Sequence, residues 1–110
     1  MYWEKELETM DRKSLEALQG ERLRKTLFQA ARSYHYDRRF KEMDLEKIRS
    51  LEDLRRLPLT TKDDLREHWP YGFLATSKDD LVRMHSSSGT TGRATVIFHT
   101  QGDIDAWTNL

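Results

Sequence analysis

One long stretch of the 110-residue chain places apolar side chains at helical spacing between charged ones. A ridge of uncharged positions recurs every four residues, as one face of a helix requires. Its members are Leu15, Gln19, Leu23, Leu27 and Ala31, with Leu18 and Phe28 alongside. Asp11 stands in front of the ridge as a candidate N-cap. The pattern predicts a helix over about 12–33, in which Gly20 costs about 1 kcal/mol relative to alanine.

Shorter helical segments are predicted on both sides of this helix. Residues 1–9 are expected to form one helical turn, anchored by burial of Tyr2 and Trp3. Tyr34-His35-Tyr36 interrupts the ridge, and a short helix is expected to follow it. That helix is predicted to turn two apolar side chains inward, Phe40 and Met43.

A serine or threonine followed three residues later by aspartate fits the pattern of a capping box. The pattern occurs at Ser50, Thr60, Ser77 and Thr100. It predicts helices near 51–56 and 61–67, one turn after Ser77, and a last helix after Thr100. Pro58 separates the first two, because the residue before proline avoids helical geometry. Trp69-Pro70-Tyr71-Gly72 predicts a turn whose aromatic rings cover the core.

Two short apolar runs, 81–84 and 95–98, predict strands near 81–86 and 94–99 joined by a long loop. The fold class is therefore α+β: a mostly helical chain with one strand–loop–strand unit. We divide it into a helical segment, 1–75, and a loop unit with its final helix, 81–110. Since two strands are marginal by themselves, they are expected to belong to a larger sheet.

Charge and composition narrow the function classes. Lys plus Arg and Asp plus Glu number 19 each, so no net field attracts nucleic acid or membrane. Segment 11–41 is locally basic, with nine Lys or Arg against four Asp or Glu. It is interpreted as a solvated helix face, because the arginines alternate with the apolar stripe; an RNA-binding arm is the open alternative. We predict no nucleic-acid partner and no membrane span.

Cysteine is absent, which excludes disulfides, thiolate metal sites and cysteine nucleophiles. This composition is compatible with a reducing compartment. The first ten residues hold three Glu, one Lys and no apolar run, so the sequence predicts no signal peptide. The four histidines fit no compact metal motif, and no metal site is predicted.

The chemistry is expected in the loop between the two strands. Ser86 to Gly92 carry only hydroxyl groups or no side chain, so the backbone can approach a bulky anion closely. Successive backbone N–H groups in such a turn form an anion site. Arg93 adds a planar fork of donors suited to phosphate. The pattern predicts a polyphosphate-binding loop.

Other interpretations of the loop are weaker. It is not a Walker A motif, because the spacing is G-T-T-G-R and a strand follows. A hydrolase with a nucleophilic Ser86 beside His85 is disfavoured, because neighbours on a strand point to opposite faces. A Ser/Thr/Gly-rich hairpin with no ligand remains the open alternative.

The loop resembles the phosphate-binding loop of AMP-forming adenylating enzymes, the acyl-CoA and aryl-CoA ligases. The flanks are similar to the amino-terminal part of the phenylacetate–coenzyme A ligase family. The similar stretches are Tyr2-Trp3, Leu18 to Leu23, Leu51 to Leu54, Leu57 to Leu65 and Asp103 to Trp107. They cover nearly the whole chain. Since members of that family are several times longer, the resemblance implies an amino-terminal fragment that stops inside the large domain.

The resemblance implies a cytoplasmic ligase of aromatic-acid catabolism that is active as a homo-oligomer. Its substrates would be ATP with magnesium, coenzyme A and an aryl carboxylic acid, with phenylacetate expected. The loop would hold the β- and γ-phosphates of ATP; its residues are Ser87, Ser88, Gly89, Thr90, Thr91, Gly92 and Arg93. The family's ribose-binding aspartate, its adenine and aryl pockets and its late catalytic lysine would lie beyond Leu110. This chain alone is therefore expected to be inactive.

Two departures from the family pattern affect fine geometry. Arg93-Ala94 stands where Lys-Pro is usual, and His99 stands where tyrosine is common. Arginine keeps the charge with a wider head, and the loss of proline frees a φ angle at the loop exit. A second function class stays open, namely a non-catalytic helical interaction module with an incidental hairpin.

Overall fold

The computed structural model describes residues 1–88 and 92–109. The α-helices are α1 (Lys5–Glu8), α2 (Arg12–Ala30), α3 (Tyr34–Arg39), α4 (Lys62–Glu67) and α5 (Gln101–Thr108). Three 3-10 turns lie between them, at Leu45–Lys47, Leu51–Arg56 and Lys78–Asp80. The strands are β1 (Leu81–Ser86) and β2 (Val96–Thr100). The described part of the chain is mostly helical with one two-stranded sheet, which confirms the α+β fold class.

Helix α2 begins as its sequence predicts. The Asp11 side chain accepts a hydrogen bond from the backbone N–H of Ser14, 3.0 Å away, and caps the first turn. The helix ends at Ala30, three residues before the predicted end, because Ser33 leaves helical geometry to cap α3. Gly20 is buried, and a Cβ there would lie 3.2 Å from the Arg49 carbonyl oxygen. Its place inside the helix is thus explained by a close backbone approach.

A small core lies beneath α2. Leu27, Phe40 and Ile48 are buried, and Ile48 is fully enclosed. Partly buried apolar side chains surround them: Leu23, Ala30, Ala31, Tyr36, Met43, Leu45 and Leu57. This arrangement confirms the inward positions predicted for Phe40 and Met43. The anchoring predicted for Tyr2 and Trp3 is wrong, since they are 55% and 75% exposed.

A second cluster of rings joins α3 to the turn that follows α4. The His35 ring stacks on Phe73 with centroids 4.2 Å apart and meets the edge of His68 at 4.9 Å. The backbone N–H of His35 donates to the carbonyl oxygen of Gly72, 2.8 Å away. Gly72 has no room for a side chain, because a Cβ there would lie 2.2 Å from the Cβ of His68.

Aspartates support the short helices much as the capping pattern predicts. The carboxylate of Asp53 accepts from the backbone N–H of Ser50 at 3.0 Å. At α4 the cap is Thr61 with Asp64, one residue later than the predicted pair at Thr60. The hydroxyl of Tyr36 is hydrogen-bonded to the Thr60 hydroxyl instead.

Strands β1 and β2 are antiparallel, with Met84 opposite Phe98 and Ser86 opposite Val96. A bulge between Leu81 and Arg83 shifts the register near the start of β1. Within the described ranges the sheet has no third strand. The chain leaves β2 directly into α5, and the two elements are packed together. No described helix combines the length and apolar character needed to span a membrane.

Candidate functional site: the loop between the two strands

The loop of interest emerges from the ends of β1 and β2 that are paired through Ser86 and Val96. Just beyond this pair, the backbone N–H of Ser87 donates to the carbonyl oxygen of Thr95, 3.0 Å away. The backbone N–H of Thr95 donates to the Ser87 hydroxyl oxygen at 3.0 Å. The Thr95 hydroxyl donates to the same oxygen at 2.9 Å. Three hydrogen bonds therefore hold the two ends of the loop together.

The described loop residues form an exposed, polar surface. Ser87, Ser88, Gly92 and Arg93 are all exposed. Gly92 has φ of 145°, in the region that favours glycine, and a Cβ at this position would meet no atom within 4 Å. The glycine is therefore explained by backbone conformation and not by crowding. Three predicted site residues lie outside the described residues: Gly89, Thr90 and Thr91.

Arg93 supplies positive charge at the loop exit. Together with Ala94 and the half-exposed Trp69 it lines a cavity of about 310 Å³. The structure thus brings the aromatic turn at 69–72 next to the loop, a neighbour that sequence reasoning did not find. A guanidinium beside an exposed ring and a row of hydroxyls is suited to an anion that carries an apolar or aromatic group.

The two histidines of the sheet pack against each other and against helix α5. The rings of His85 and His99 are 4.7 Å apart, and Trp107 of α5 lies 5.5 Å from His85. The side chain of Ser86 instead donates to the backbone carbonyl of Ser87 at 3.3 Å. Ser86 and His85 therefore have separate partners, whereas a hydrolase would need them hydrogen-bonded to each other.

The sequence favours a core position for two aromatic residues, Phe98 and Trp107, over stacking on a substrate. Phe98 is partly buried and stacks on Tyr71 at 5.3 Å, which ties the sheet to the helical segment. Trp107 is 54% exposed, so the prediction is wrong for this residue. Its ring nevertheless contacts both histidines, His85 at 5.5 Å and His99 at 6.0 Å.

Helix α5 is fixed to the end of β2 by a complete capping box. The carboxylate of Asp103 accepts from the backbone N–H of Thr100 at 2.7 Å and from its hydroxyl at 3.0 Å. Those backbone and hydroxyl donors lower the pKa of Asp103 below its ordinary value. The charge of Asp103 is therefore used to begin the helix.

Comparison with known proteins identifies the relatives of this arrangement. The sequence matches no protein-family model. It is 39% identical over 113 residues to a phenylacetate–coenzyme A ligase of Thermus thermophilus, covering all of this chain and 25% of that protein. It is 43% identical over 107 residues to the phenylacetate–coenzyme A ligase of Escherichia coli, covering 94% of this chain and 24% of that protein. The chain matches one quarter of a phenylacetate–coenzyme A ligase.

Solved structures give the same result for the fold. A 2-hydroxyisobutyryl-CoA ligase in complex with 2-HIB-AMP and CoA superposes with a TM-score of 0.88 at 31% identity. The match covers 98% of this chain and 24% of that ligase. The same enzyme in its postadenylation state gives a TM-score of 0.86. The fold is thus that of part of a coenzyme A ligase, and this chain spans about a quarter of the length of the ligases it matches.

Thr95 is the residue of the site that sequence reasoning missed. The sequence assigned it to an apolar run leading out of the loop, because Val96, Ile97 and Phe98 follow it. The sequence feature that could have indicated its role is the presence of a hydroxyl residue at each end of the loop, Ser87 and Thr95. Their pairing depends on the strand register, which the loop length alone does not fix.

Proposed function

We propose that this chain is the amino-terminal segment of an ATP-dependent aryl-acid–coenzyme A ligase. Residues 1–110 would form the first part of its AMP-binding domain, with the helical segment 1–75 packed beside the loop unit and helix 81–110. The observation that carries the proposal is the similarity over essentially the whole chain to four phenylacetate–coenzyme A ligases at 38–43% identity. Adenylation, thioester formation and the substrates below concern the whole ligase.

The loop would bind the β- and γ-phosphates of ATP. The expected contacts come from the hydroxyl and backbone donors of 87–92 and from the guanidinium of Arg93. A carboxylate of the acid attacks the α-phosphorus, pyrophosphate leaves, and the acyl adenylate forms. The thiol of coenzyme A then displaces AMP and gives the thioester. The loop's contribution is electrostatic, because its donors face the charge that develops on the leaving pyrophosphate.

Magnesium would enter with the nucleotide. In residues 1–88 and 92–109, no three His, Asp or Glu side chains converge as metal ligands. The described loop residues offer hydroxyls and a guanidinium, which suit phosphate oxygens, and they include no carboxylate. We therefore assign the metal to the phosphates and give none of its ligands to the described residues.

The acid is proposed to be an aryl acid, with phenylacetate first. Support comes from the names of the four relatives, all phenylacetate–coenzyme A ligases. The structural neighbours act on a hydroxy acid and are less similar, at 26–31% identity. We further propose a cytoplasmic homo-oligomer for the whole ligase.

The reading frame that follows Leu110 tests the proposal. Several hundred further codons with a ribose-binding aspartate and a late lysine are expected. The encoded protein should release pyrophosphate with ATP, magnesium, coenzyme A and phenylacetate, and much less with 2-hydroxyisobutyrate in place of phenylacetate. A stop codon at 111, or an encoded protein without this activity, would favour the helical interaction module instead.

The 110-residue chain by itself is expected to show no ligase turnover. Phosphate donors without adenine, acyl and coenzyme A pockets bind an anion weakly and do not align the reactants. Pyrophosphate release by the purified chain should equal that of a no-enzyme blank, while the full-length protein serves as the positive control. Turnover above the blank would show that the segment holds a complete active site.

A further inference from the structure

At the base of the loop, one oxygen atom accepts two hydrogen bonds. Both donors of Thr95, its backbone N–H and its hydroxyl, end on the hydroxyl oxygen of Ser87, at 3.0 and 2.9 Å. A serine hydroxyl offers two lone pairs and one proton. The two lone pairs of Ser87 are thus occupied by one neighbouring residue.

The remaining capacity of the Ser87 hydroxyl is its proton. The described hydrogen bonds give this proton no acceptor, because the Thr95 hydroxyl, 2.9 Å away, is itself the donor, and Ser87 is exposed. A hydroxyl in this condition acts only as a donor. It suits an anion, which presents acceptors alone, and it offers nothing to a metal cation.

We infer that Thr95 is a positioning residue that fixes Ser87 as a donor to a phosphate oxygen. The inference rests on the proposed function and adds a residue to it. Thr95 need not touch the nucleotide. Its N–H sets the direction of the Ser87 hydroxyl, and its O–H polarises that hydroxyl, since hydrogen bonds in a chain strengthen one another.

The surroundings agree with an anionic ligand. Arg93 lies two residues before Thr95 and is exposed, and no described carboxylate forms an ion pair with it. Hydrogen bonds from a polarised hydroxyl to an anion are shorter and roughly twice as strong as those between neutral groups. The Ser87–Thr95 pair and Arg93 therefore offer donors of two kinds within one loop.

Titration calorimetry with inorganic pyrophosphate tests the inference on the chain itself. Thr95→Val removes the hydroxyl and keeps both the shape and the backbone N–H. We expect it to weaken binding about five-fold, the effect of one ordinary hydrogen bond. Thr95→Ser restores a hydroxyl and should restore binding. Ser87→Ala should weaken binding at least as much, and Thr95→Val should have no further effect in its presence.

The outcomes separate the inference from the proposed function. If the wild-type chain binds no pyrophosphate, the role of Thr95 is overturned, whereas the proposed function is tested separately by the activity of the full-length protein. If it binds and Thr95→Val or Thr95→Ala binds equally well, only the role of Thr95 is overturned. Thermal unfolding of each variant is measured in parallel. If the role of Thr95 is purely structural, Thr95→Val should lower the melting temperature. It should then weaken pyrophosphate binding by the same factor in the wild type and in the Ser87→Ala variant, so that the effects of the two substitutions add.

Discussion

Gly72 has the least room for a side chain among the described glycines. A Cβ at this position would meet the Cβ and carbonyl oxygen of His68 at 2.2 and 2.5 Å. Both atoms belong to rigid parts of a residue whose ring packs against Tyr34, His35 and Phe73. The turn therefore cannot accept a methyl group without moving away from α3.

Gly72→Ala is expected to lower the free energy of unfolding by about 1–3 kcal/mol, the usual cost of overpacking. Gly102→Ala is the matched control, because a Cβ there meets only the Thr100 hydroxyl at 3.7 Å. Alanine favours the helix, so this control should be neutral or stabilising. Urea unfolding of both variants measures the contrast. Equal stabilities would show that the turn relaxes freely.

His35 makes stability depend on pH. Burial, and secondarily the neighbouring His68, lowers the pKa of His35 below its ordinary 6.5. Asp64 and Glu67 oppose the shift, and Arg39 adds to it. As pH falls, the unfolded chain therefore binds the proton before the folded chain does. The stabilisation is complete above about pH 6.5 and declines as pH falls toward the lowered pKa.

His35→Phe is expected to flatten this part of the pH profile, because it keeps the ring and removes the proton site. Chemical unfolding between pH 7.5 and 4.5 should show a falling stability for the wild type and a smaller slope for the variant. His99→Gln, in the sheet, is the control and should keep the wild-type slope. The carboxylates with lowered pKa values, such as Asp103, begin to lose their stabilisation below about pH 5 in the wild type and in the variants alike, so they do not produce the difference in slope.

At the scale of elements, the local sequence predicts where a helix begins when neighbouring residues supply the cap. Asp11 and Thr100 were predicted from the sequence and are present, because each cap needs only side chains within four positions. Burial of His35 and the close approach at Gly20 could not be predicted in this way. Each depends on a segment more than 25 residues away in sequence, whose position is set by packing.

The cap of α5 is expected to contribute measurably to stability. Thr100→Val removes the hydroxyl that accepts from the backbone N–H of Asp103. The expected loss is about 1 kcal/mol in the free energy of unfolding. Thr108→Val is the control at the other end of α5, where the hydroxyl donates to one exposed carbonyl oxygen. A loss no larger than that of the control would show that α5 is held by packing alone.

The whole molecule has a larger accessible surface than a compact monomer of the same mass. Its accessible surface is 8836 Å², whereas a compact monomer of 13.1 kDa has about 6,400 Å². Its radius of gyration is 16.3 Å, against about 13 Å for a compact chain of this length. The excess accessible surface is larger than the roughly 800 Å² that one partner buries in an ordinary interface.

We expect the purified chain to self-associate through the sheet. Residues 94–100, which include β2, carry no charged side chain. The edge of a strand without charges can pair with a strand of another chain. Ile97 and Met84 are 53% and 60% exposed on this sheet. Light scattering over a concentration series should show a mass that rises above 13.1 kDa.

Ile97→Lys should shift this association to higher concentration, because it places a charge on the exposed strand. Leu59→Lys is the matched control: Leu59 is 85% exposed and lies outside the sheet, so its mass profile should remain that of the wild type. A constant mass of 13.1 kDa up to high concentration would mean that the sheet edges find partners within one chain.

The bonds between Ser87 and Thr95 also have a use in engineering. They join the two strand ends directly. Residues 88–94 can accordingly be treated as an exchangeable cassette, bounded by two anchors that stay constant. Loops of other length and charge could be grafted between these anchors, which turns a single strand pair into a scaffold for selecting new anion receptors.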